Sequence, residues 1–230
     1  SLNKKQGVLP PLGLAYLASS LEKAGHEVNI IDAIALALSK EEVDVRIKKF
    51  NPKIVGITAM TPTILGAFEA AKLAKENGAL TVIGGVHMSI LPLETLQQDF
   101  VDFGIVGEAE ESLVELCNAL ENNESYENIK ALCYKKDGRI VVGQPEFIND
   151  VDSLPMPAFH LLPMEKYSSI IGLHPTSTMM GSRGCPYLCG FCYKTPSDKK
   201  YRTRSVEKIV DEMEYLIKNH GLKEIMFMLV

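Results

Sequence analysis

Short runs of apolar residues alternate along the first half of the chain with longer segments whose apolar positions recur at helical spacing. The first helical segment begins after Pro10-Pro11 and ends at Gly25, because proline suits the first turn of a helix and glycine suits its end. Beyond it, the pattern predicts strands at 27–31, 54–57, 80–83 and 101–106 and helices at 40–50, 62–77, 92–99 and 109–120. This alternation is typical of an α/β fold with a doubly wound parallel sheet.

The pattern changes after residue 128. Apolar runs at 129–134 and 139–142 flank Asp137-Gly138, a pair that favours the tight turn of an antiparallel hairpin. Five prolines then fall within 145–175, where little periodicity remains, and this predicts an extended strap. The last part of the chain predicts one β-α-β unit, with strands at 176–180 and 224–230 and a helix between Ser205 and Gly221.

We therefore predict three parts along the chain: a first domain at 1–144, a proline-rich strap between domains at 145–175, and the start of a second domain at 176–230. A doubly wound sheet ordinarily opens on a strand, whereas this pattern opens on a helix. Its last run, Phe227-Met228-Leu229-Val230, is an apolar strand with no partner in the sequence. We expect that the sequence is cut at both ends, without its first strand and without most of the second domain.

Composition and charge exclude several kinds of partner. The chain has 230 residues, an ordinary apolar fraction of 46% and a net charge of −5, with no basic run longer than a lysine pair, so no nucleic-acid footprint is visible. No stretch approaches the roughly 18 apolar residues of a membrane span, and the first residues lack the apolar core of a signal peptide. Five cysteines, three of them clustered, fit a reducing compartment better than a disulfide framework. We expect a cytoplasmic protein that binds a small molecule.

The clustered cysteines are the strongest chemical signal in the sequence. Cys185, Cys189 and Cys192 stand at a C-x3-C-x2-C spacing, in a loop made irregular by Gly184 and Gly190. Such a loop lets neighbouring thiolates converge on one soft metal centre. Three cysteines can hold three irons of a [4Fe–4S] cluster and leave the fourth iron open, whereas a structural zinc site requires four ligands. The spacing therefore favours a cluster with an open iron.

Two other interpretations of these cysteines stay open. One is a zinc knuckle that takes His174, His160 or Cys133 as its fourth ligand. The other is a disulfide with one thiol left over. Cys117, and Cys133 if it is not that ligand, are expected to be ordinary packed thiols.

Three loops follow the carboxyl ends of predicted strands, where ligands of parallel sheets bind. They are Thr58-Ala59-Met60-Thr61-Pro62, Gly84-Gly85-Val86-His87 and Gly107-Glu108-Ala109-Glu110. The Gly84-Gly85 pair allows a ligand to approach the backbone closely, and Thr58 and Thr61 place hydroxyls at the start of a helix. The alternative is that these glycines only make tight turns. His87 is expected to be a packed or loop histidine rather than a metal ligand.

The cysteine loop resembles the signature of the radical S-adenosylmethionine (SAM) superfamily, C-x3-C-x-Φ-C, in which Φ is an aromatic residue, here Phe191. The resemblance implies that the three cysteines hold a [4Fe–4S] cluster whose open iron binds SAM. It implies that Phe191 and Tyr193 lie beside the SAM adenine, and that SAM cleavage gives a 5′-deoxyadenosyl radical. An electron donor such as flavodoxin or ferredoxin would reduce the cluster.

The first domain looks like the cobalamin-binding domain that precedes the radical SAM barrel in the B12-dependent class. The resemblance is carried by Pro10–Ala18, Gly25-His26-Glu27-Val28, Val55-Gly56-Ile57-Thr58, Gly84-Gly85-Val86-His87 and Gly107-Glu108-Ala109-Glu110, and the strap continues it at Leu154–Phe159. It implies a Rossmann-like sheet followed by the first β-α-β unit of a partial TIM barrel. It implies cobalamin contacts at Thr58, Thr61, Gly84, Gly85, Gly107 and Glu108. The chain departs from histidine-ligated cobalamin domains because it lacks D-x-H-x-x-G, so we expect cobalt without a histidine ligand.

The resemblance implies an enzyme, and it names no catalytic side chain in this chain. The expected reactions are methyl transfer or oxidative ring formation on a small molecule of tetrapyrrole or lipid type. One alternative is a radical SAM enzyme whose first domain does not bind cobalamin, and another is a cofactor-binding module without catalysis. We also expect the 230 residues by themselves to be inactive, because the further SAM-binding strands of the family do not precede Val230.

Overall fold

The computed structural model describes residues 7–170, 172–187, 189–192 and 200–229. In chain order its helices are α1 (Leu12–Lys23), α2 (Lys40–Phe50), α3 (Ile64–Glu76), α4 (Val86–Ile90), α5 (Pro92–Leu96), α6 (Glu110–Asn122) and α7 (Val206–His220). Its strands are β1 (Ile54–Thr58), β2 (Leu80–Gly84), β3 (Phe103–Ile105), β4 (Leu132–Lys136), β5 (Arg139–Val141), β6 (Thr176–Arg183), β7 (Arg202–Thr203) and β8 (Glu224–Leu229).

The chain divides into two compact units. The five-stranded unit comprises Ala24–Ile31 and Leu38–Phe147, and the three-stranded unit comprises Ser1–Lys23, Asp32–Ala37 and Ile148–Val230. None of the described helices combines the length and the apolar character that crossing a bilayer requires.

The five-stranded unit is a sheet in the order β1-β2-β3-β4-β5. The first three strands are parallel, with Ile57 paired to Ile83 and Val82 paired to Phe103, and β4 and β5 add an antiparallel hairpin. Asp137 and Gly138 at the hairpin turn both have positive φ, as a tight two-residue turn requires. The predicted α/β class, its parallel sheet and its hairpin are confirmed.

Local sequence explains where the surface helix α2 begins and ends. The hydroxyl of Ser39 accepts from the Glu42 backbone N–H, and the Glu42 carboxylate accepts in return from the Ser39 backbone N–H. Asn51 closes the helix in the left-handed conformation. Of this helix, Ile47 is the buried residue, which fits the mixed polar pattern of its sequence. The predicted bounds of 40–50 are those observed.

The strand predicted at 27–31 is wrong. These residues are extended and alternate between exposed and half-buried positions, but no described strand pairs with them. A strand needs a hydrogen-bonded neighbour. In the described sheet β1 is the first strand and pairs only with β2, so residues 27–31 do not pair with it. The alternation of residues 27–31 is therefore observed, but the described residues contain no strand that forms hydrogen bonds with them.

The three-stranded unit contains the predicted β-α-β arrangement. Strand β6 lies between β7 and β8, and β8 runs parallel to β6 after the crossover helix α7. The hydroxyl of Ser205 caps α7 by accepting from the Lys208 backbone N–H, and Gly221 ends the helix with positive φ. The short antiparallel strand β7 was not predicted. In the described part of the chain this sheet is open and no barrel is closed.

The predicted strap region is irregular, with single helical turns at Val151–Ser153, Phe159–Leu161 and Met164–Lys166. Tyr167 is fully buried, and its hydroxyl donates to Asp32 Oδ2 at 2.8 Å. Asp32 Oδ1 also accepts from the backbone N–H groups of Ile34 and Ala35. These bonds attach the segment at 32–37 to the irregular region of the same unit.

Candidate cofactor sites

The carboxyl ends of β1, β2 and β3 meet at one edge of the five-stranded sheet, because the three strands are parallel neighbours. Thr58, the last residue of β1, pairs with Gly84, the last residue of β2. The loop at Gly107 follows β3 at the same edge. The prediction that the three loops share one sheet edge is confirmed, and we call this region the carboxyl edge.

The short helix α4 connects these loops, and the sequence pattern did not predict it. The backbone N–H of His87 donates to Ala59 O at 3.0 Å, and His87 Nδ1 lies 3.2 Å from Thr61 Oγ1. The hydroxyl of Ser89 donates to Gly85 O at 3.1 Å and accepts from the Gly107 backbone N–H at 3.0 Å. The helix therefore ties the loop after β1 and the loop after β3 to the loop after β2.

Between these two residues, Met88 anchors α4 on the sheet. Met88 is fully buried, and a Cβ added to Gly104 would lie 2.6 Å from its Sδ atom. Gly104 therefore provides the space for Met88 on β3. Three successive residues of α4 thus contact three different strands or loops of the carboxyl edge.

The two adjacent glycines at the end of β2 differ in their surroundings. Gly85 has φ 90° and ψ −173°, and a Cβ there would lie 2.8 Å from Ala59 O and 2.9 Å from Thr58 Oγ1. A Cβ on Gly84 would meet no atom within 4 Å. The space beside the Cα of Gly84 is thus open to a ligand, whereas Gly85 is required by the tight turn itself. The alternative role expected for these glycines is the formation of a tight turn. Gly85 has that role in the structure.

Large apolar side chains are exposed next to the carboxyl edge. Met60, which follows β1, is 58% exposed, and Val86, which follows Gly85, is 52% exposed. Leu65, in the first turn of α3, is 75% exposed. Exposed apolar side chains next to polar groups can contact the apolar part of a bound ligand. Apolar side chains, threonine hydroxyls and an open backbone position fit a large flat ring with polar groups on its rim, as in cobalamin.

His87 is a packed histidine, as expected, although it lies on a helix and not in a loop. It is 1% exposed, and its Nε2 atom has no hydrogen-bond partner in the structure. Thr58 and Thr61 are exposed at the carboxyl edge. Glu108 is half-buried, and its backbone N–H lies 3.4 Å from Glu146 O, so the chain leaving the hairpin covers part of the loop after β3.

The cysteine loop follows β6 in the three-stranded unit. Cys185 is half-buried, Cys189 and Cys192 are exposed, and the Cys192 backbone N–H donates to Cys189 O at 3.0 Å. Phe191 is 95% exposed, and Tyr193 lies outside the described residues. Among the described side chains, no three of His, Cys, Asp or Glu lie close enough to hold a metal, so the structure does not bring the three thiols together. Their chemistry, three soft thiol ligands within eight residues, still fits an iron–sulfur cluster.

The alternative metal ligands have other partners. His174 Nδ1 lies 3.1 Å from Tyr167 O, and His160 Nε2 lies 2.9 Å from Glu22 Oε1. Cys133 is buried on β4 in the other unit, where its sulfur accepts from the Gly143 backbone N–H. None of the five cysteines, all within the described ranges, forms a disulfide. No disulfide is present among these cysteines, whereas the bond through His174 Nδ1 is compatible with metal ligation through Nε2 and does not decide against a zinc knuckle.

Burial sets the properties of the two remaining thiols. It raises the pKa of Cys117 to about 11, and it also raises the pKa of Cys133. Both thiols therefore stay protonated near neutral pH and are poor nucleophiles. The expectation of packed thiols agrees with the buried position of Cys133, whereas Cys117 is only half-buried.

Buried arginines support the end of β6, and sequence reasoning missed them. Arg204 Nη1 lies 2.6 Å from Glu212 Oε2 on α7 and donates to Met180 O at 3.0 Å. Arg202 Nη1 donates to Ile148 O at 2.6 Å. The Arg183 guanidinium lies 5.3 Å from the centre of the Tyr16 ring. The available signal was the spacing of Arg202 and Arg204, two residues apart at the end of β7, since alternate residues of an extended chain share one face.

Comparison with known proteins places these features in a family. Residues 2–117 match the B12 binding domain family. An uncharacterized methyltransferase of Pyrococcus horikoshii is 39% identical over 224 residues, which are 95% of this chain and 48% of that protein. An anaerobic magnesium-protoporphyrin IX monomethyl ester cyclase of Cereibacter sphaeroides is 34% identical over 225 residues, which are 94% of this chain and 36% of that protein.

A solved structure shows the same fold. The cobalamin-dependent S-adenosylmethionine radical enzyme OxsB, with aqua-cobalamin and S-adenosylmethionine bound, superimposes with a TM-score of 0.83 at 22% identity. The match covers 96% of this chain and 32% of OxsB. The chain spans less than half the length of the two curated relatives. The chain belongs to the B12 binding domain family.

Proposed function

We propose that this chain binds cobalamin at the carboxyl edge and a [4Fe–4S] cluster with SAM at the cysteine loop. It would do so as part of an enzyme that generates a 5′-deoxyadenosyl radical for methyl transfer or oxidative ring formation. The observation that carries the proposal is the presence, in one chain, of a B12 binding domain and a C-x3-C-x2-C loop at the carboxyl end of β6. The substrate class we propose is a tetrapyrrole or a lipid.

The cysteine loop has the ligands that the cluster requires. Cys185, Cys189 and Cys192 would bind three irons, and the fourth iron would be left for the amino and carboxylate groups of SAM. Phe191, 95% exposed, offers a ring face that the SAM adenine could cover. When bound, the cluster would supply the electron that cleaves SAM. The residues of this chain would hold the cofactors in position and, with the rest of the enzyme, keep water away.

The carboxyl edge would hold the corrin ring of cobalamin. The absence of a side chain at Gly84 leaves open space at its Cα, and Thr58 and Thr61 are exposed at the same edge. Gly107 and Glu108 border the same edge on the β3 side. When bound, cobalamin would supply a carrier for the methyl group. Because the sequence lacks D-x-H-x-x-G, we propose that cobalt has no histidine ligand from this chain.

Anaerobic reconstitution with iron and sulfide, followed by a hydroxocobalamin titration, tests both halves of the proposal. Wild type should bind iron and inorganic sulfide with the broad visible absorbance of a cluster. Cys185→Ala, Cys189→Ala and Cys192→Ala should each abolish loading, because two thiolates cannot hold a cluster that requires three. Cys117→Ala and Cys133→Ala are matched controls that remove a thiol elsewhere.

The outcomes separate the alternatives. Full iron loading of Cys189→Ala would reject the cluster assignment. A normal cluster without cobalamin binding would favour a radical SAM enzyme whose first domain does not bind cobalamin. If both cofactors load but SAM and a strong reductant added together yield no 5′-deoxyadenosine, even when further parts of the enzyme are supplied, a binding module without catalysis would be favoured.

A further inference from the structure

His87 carries an unexplained feature of the carboxyl edge. The side chain is 1% exposed, and its Nε2 atom has no hydrogen-bond partner in the structure. Buried polar atoms are almost always paired, and an unpaired one lowers stability. An orphaned nitrogen at a ligand-binding edge therefore points to a partner that arrives with the ligand.

The rest of the histidine is held firmly in place. Its backbone N–H donates to Ala59 O at 3.0 Å, and its Nδ1 atom lies 3.2 Å from Thr61 Oγ1. The next residue, Met88, is packed against Gly104 on β3. The imidazole is therefore fixed through one ring nitrogen, and the other ring nitrogen has no role in the protein's own hydrogen bonding.

We propose that His87 Nε2 forms a hydrogen bond with a peripheral carboxamide of bound cobalamin, and this inference rests on the proposed function of the carboxyl edge. A carboxamide both donates and accepts, so it can pair with either tautomer of the imidazole. Because Nε2 is covered by protein atoms in this structure, the contact requires side chains beside it to move. Val86, which precedes His87, is 52% exposed, and Met60, which precedes Thr61, is 58% exposed, so both are candidates for this movement.

Three substitutions of His87 distinguish the contribution of its Nε2 atom from that of its Nδ1 atom. Glutamine places a polar atom near Nε2, asparagine places one near Nδ1, and alanine places neither. The dissociation constant for hydroxocobalamin is measured by absorbance titration on the full chain, and thermal unfolding is measured without cofactor. We expect His87→Gln to bind close to wild type, and His87→Asn and His87→Ala to bind about tenfold more weakly, the effect of one hydrogen bond.

His26→Ala is the matched control. His26 bonds to Asn118 at 2.9 Å in the same unit and is not part of the carboxyl edge, so its loss should leave cobalamin binding unchanged. Equal dissociation constants for wild type and all three His87 variants would overturn the inference and leave the proposed function intact. Rescue by asparagine but not by glutamine would also overturn it, because the contact with Thr61 would then be the one that matters.

The cobalamin spectrum gives a second readout. We expect the cobalt absorption bands to be the same in wild type and in His87→Ala, because the contact is to the ring periphery. A shift of these bands in the variant would show that the imidazole binds cobalt, which would overturn the inference. If wild type does not bind hydroxocobalamin at all, the proposed function of the carboxyl edge fails first.

Discussion

Replacing Gly85 with alanine should strongly destabilise the five-stranded unit, whereas the same change at Gly84 should not. The two glycines are consecutive, so composition and position are nearly matched. Gly85 has φ 90° and ψ −173°, in a region that is essentially restricted to glycine. Its added Cβ would also lie 2.8 Å from the carbonyl oxygen of Ala59, which is backbone and cannot turn away.

The size of the effect follows from these two terms. Backbone strain of this kind is of order 1–3 kcal/mol, and overpacking against a fixed neighbour is typically another ~1–3 kcal/mol. We therefore expect the free energy of unfolding of Gly85→Ala to fall by about 2–6 kcal/mol. That is a large part of the roughly 5–15 kcal/mol available to a folded protein. For Gly84→Ala we expect a change within about 1 kcal/mol, because its Cβ would point into open space.

Urea unfolding followed by far-ultraviolet circular dichroism measures the difference. The midpoint of Gly85→Ala should move to lower urea concentration with an unchanged slope, and the midpoint of Gly84→Ala should stay near wild type. A Gly85→Ala protein as stable as Gly84→Ala would refute the reasoning about the turn. Cobalamin binding provides the converse test, since Gly84→Leu should weaken binding while leaving the apoprotein folded. Normal binding by that variant would show that the cofactor does not lie over Gly84.

Two further predictions concern a thiol and a carboxyl group. Because burial raises the pKa of Cys117 to about 11, iodoacetamide near neutral pH should label exposed Cys189 well before Cys117, as followed by peptide mass spectrometry, and equal rates would contradict this. Burial also raises the pKa of Glu212 above its usual 4.5 despite the Arg204 partner, so the folded protein holds this proton more tightly than the unfolded chain. The stability of wild type relative to Glu212→Gln should therefore be greatest below pH 4.5 and should fall as the pH rises through the raised pKa. A stability difference that is independent of pH would show that Glu212 does not titrate in this way.

Much of the fold could be predicted because its signals are local. The capping box of Ser39 and Glu42 defines the start of α2, and Asp137-Gly138 defines the hairpin turn. Helix α4 could not be predicted, because five residues are too few to show a helical period and no capping side chain marks its start, whereas Pro92 marks the start of the equally short α5. The strand predicted at 27–31 failed for a different reason, since alternation along one segment does not say whether a second strand will pair with it.

Some features of the candidate sites could likewise be predicted from the sequence, and others could not. The cysteine loop is visible in the sequence because all three thiols lie within eight residues. The carboxyl edge could be inferred from topology, because parallel neighbouring strands bring their carboxyl ends together. The different roles of Gly84 and Gly85 could not be separated, because both are glycine and the distinction depends on the distance to Ala59. The burial of His87 likewise depends on a helix that the pattern did not show.

The contacts of α4 tolerate a change of residue type better than they tolerate an insertion or deletion at the start of the helix. His87, Met88 and Ser89 each serve a different strand or loop, and each does so from one fixed angular position on the helix. Inserting or deleting one residue between Gly85 and His87 would rotate the helix by about 100° and displace all three side chains together. Evolution can exchange these side chains one at a time, but an indel here would remove every contact in a single step. Natural insertions in this protein's lineage should therefore accumulate elsewhere, for example in the exposed turn that precedes β1.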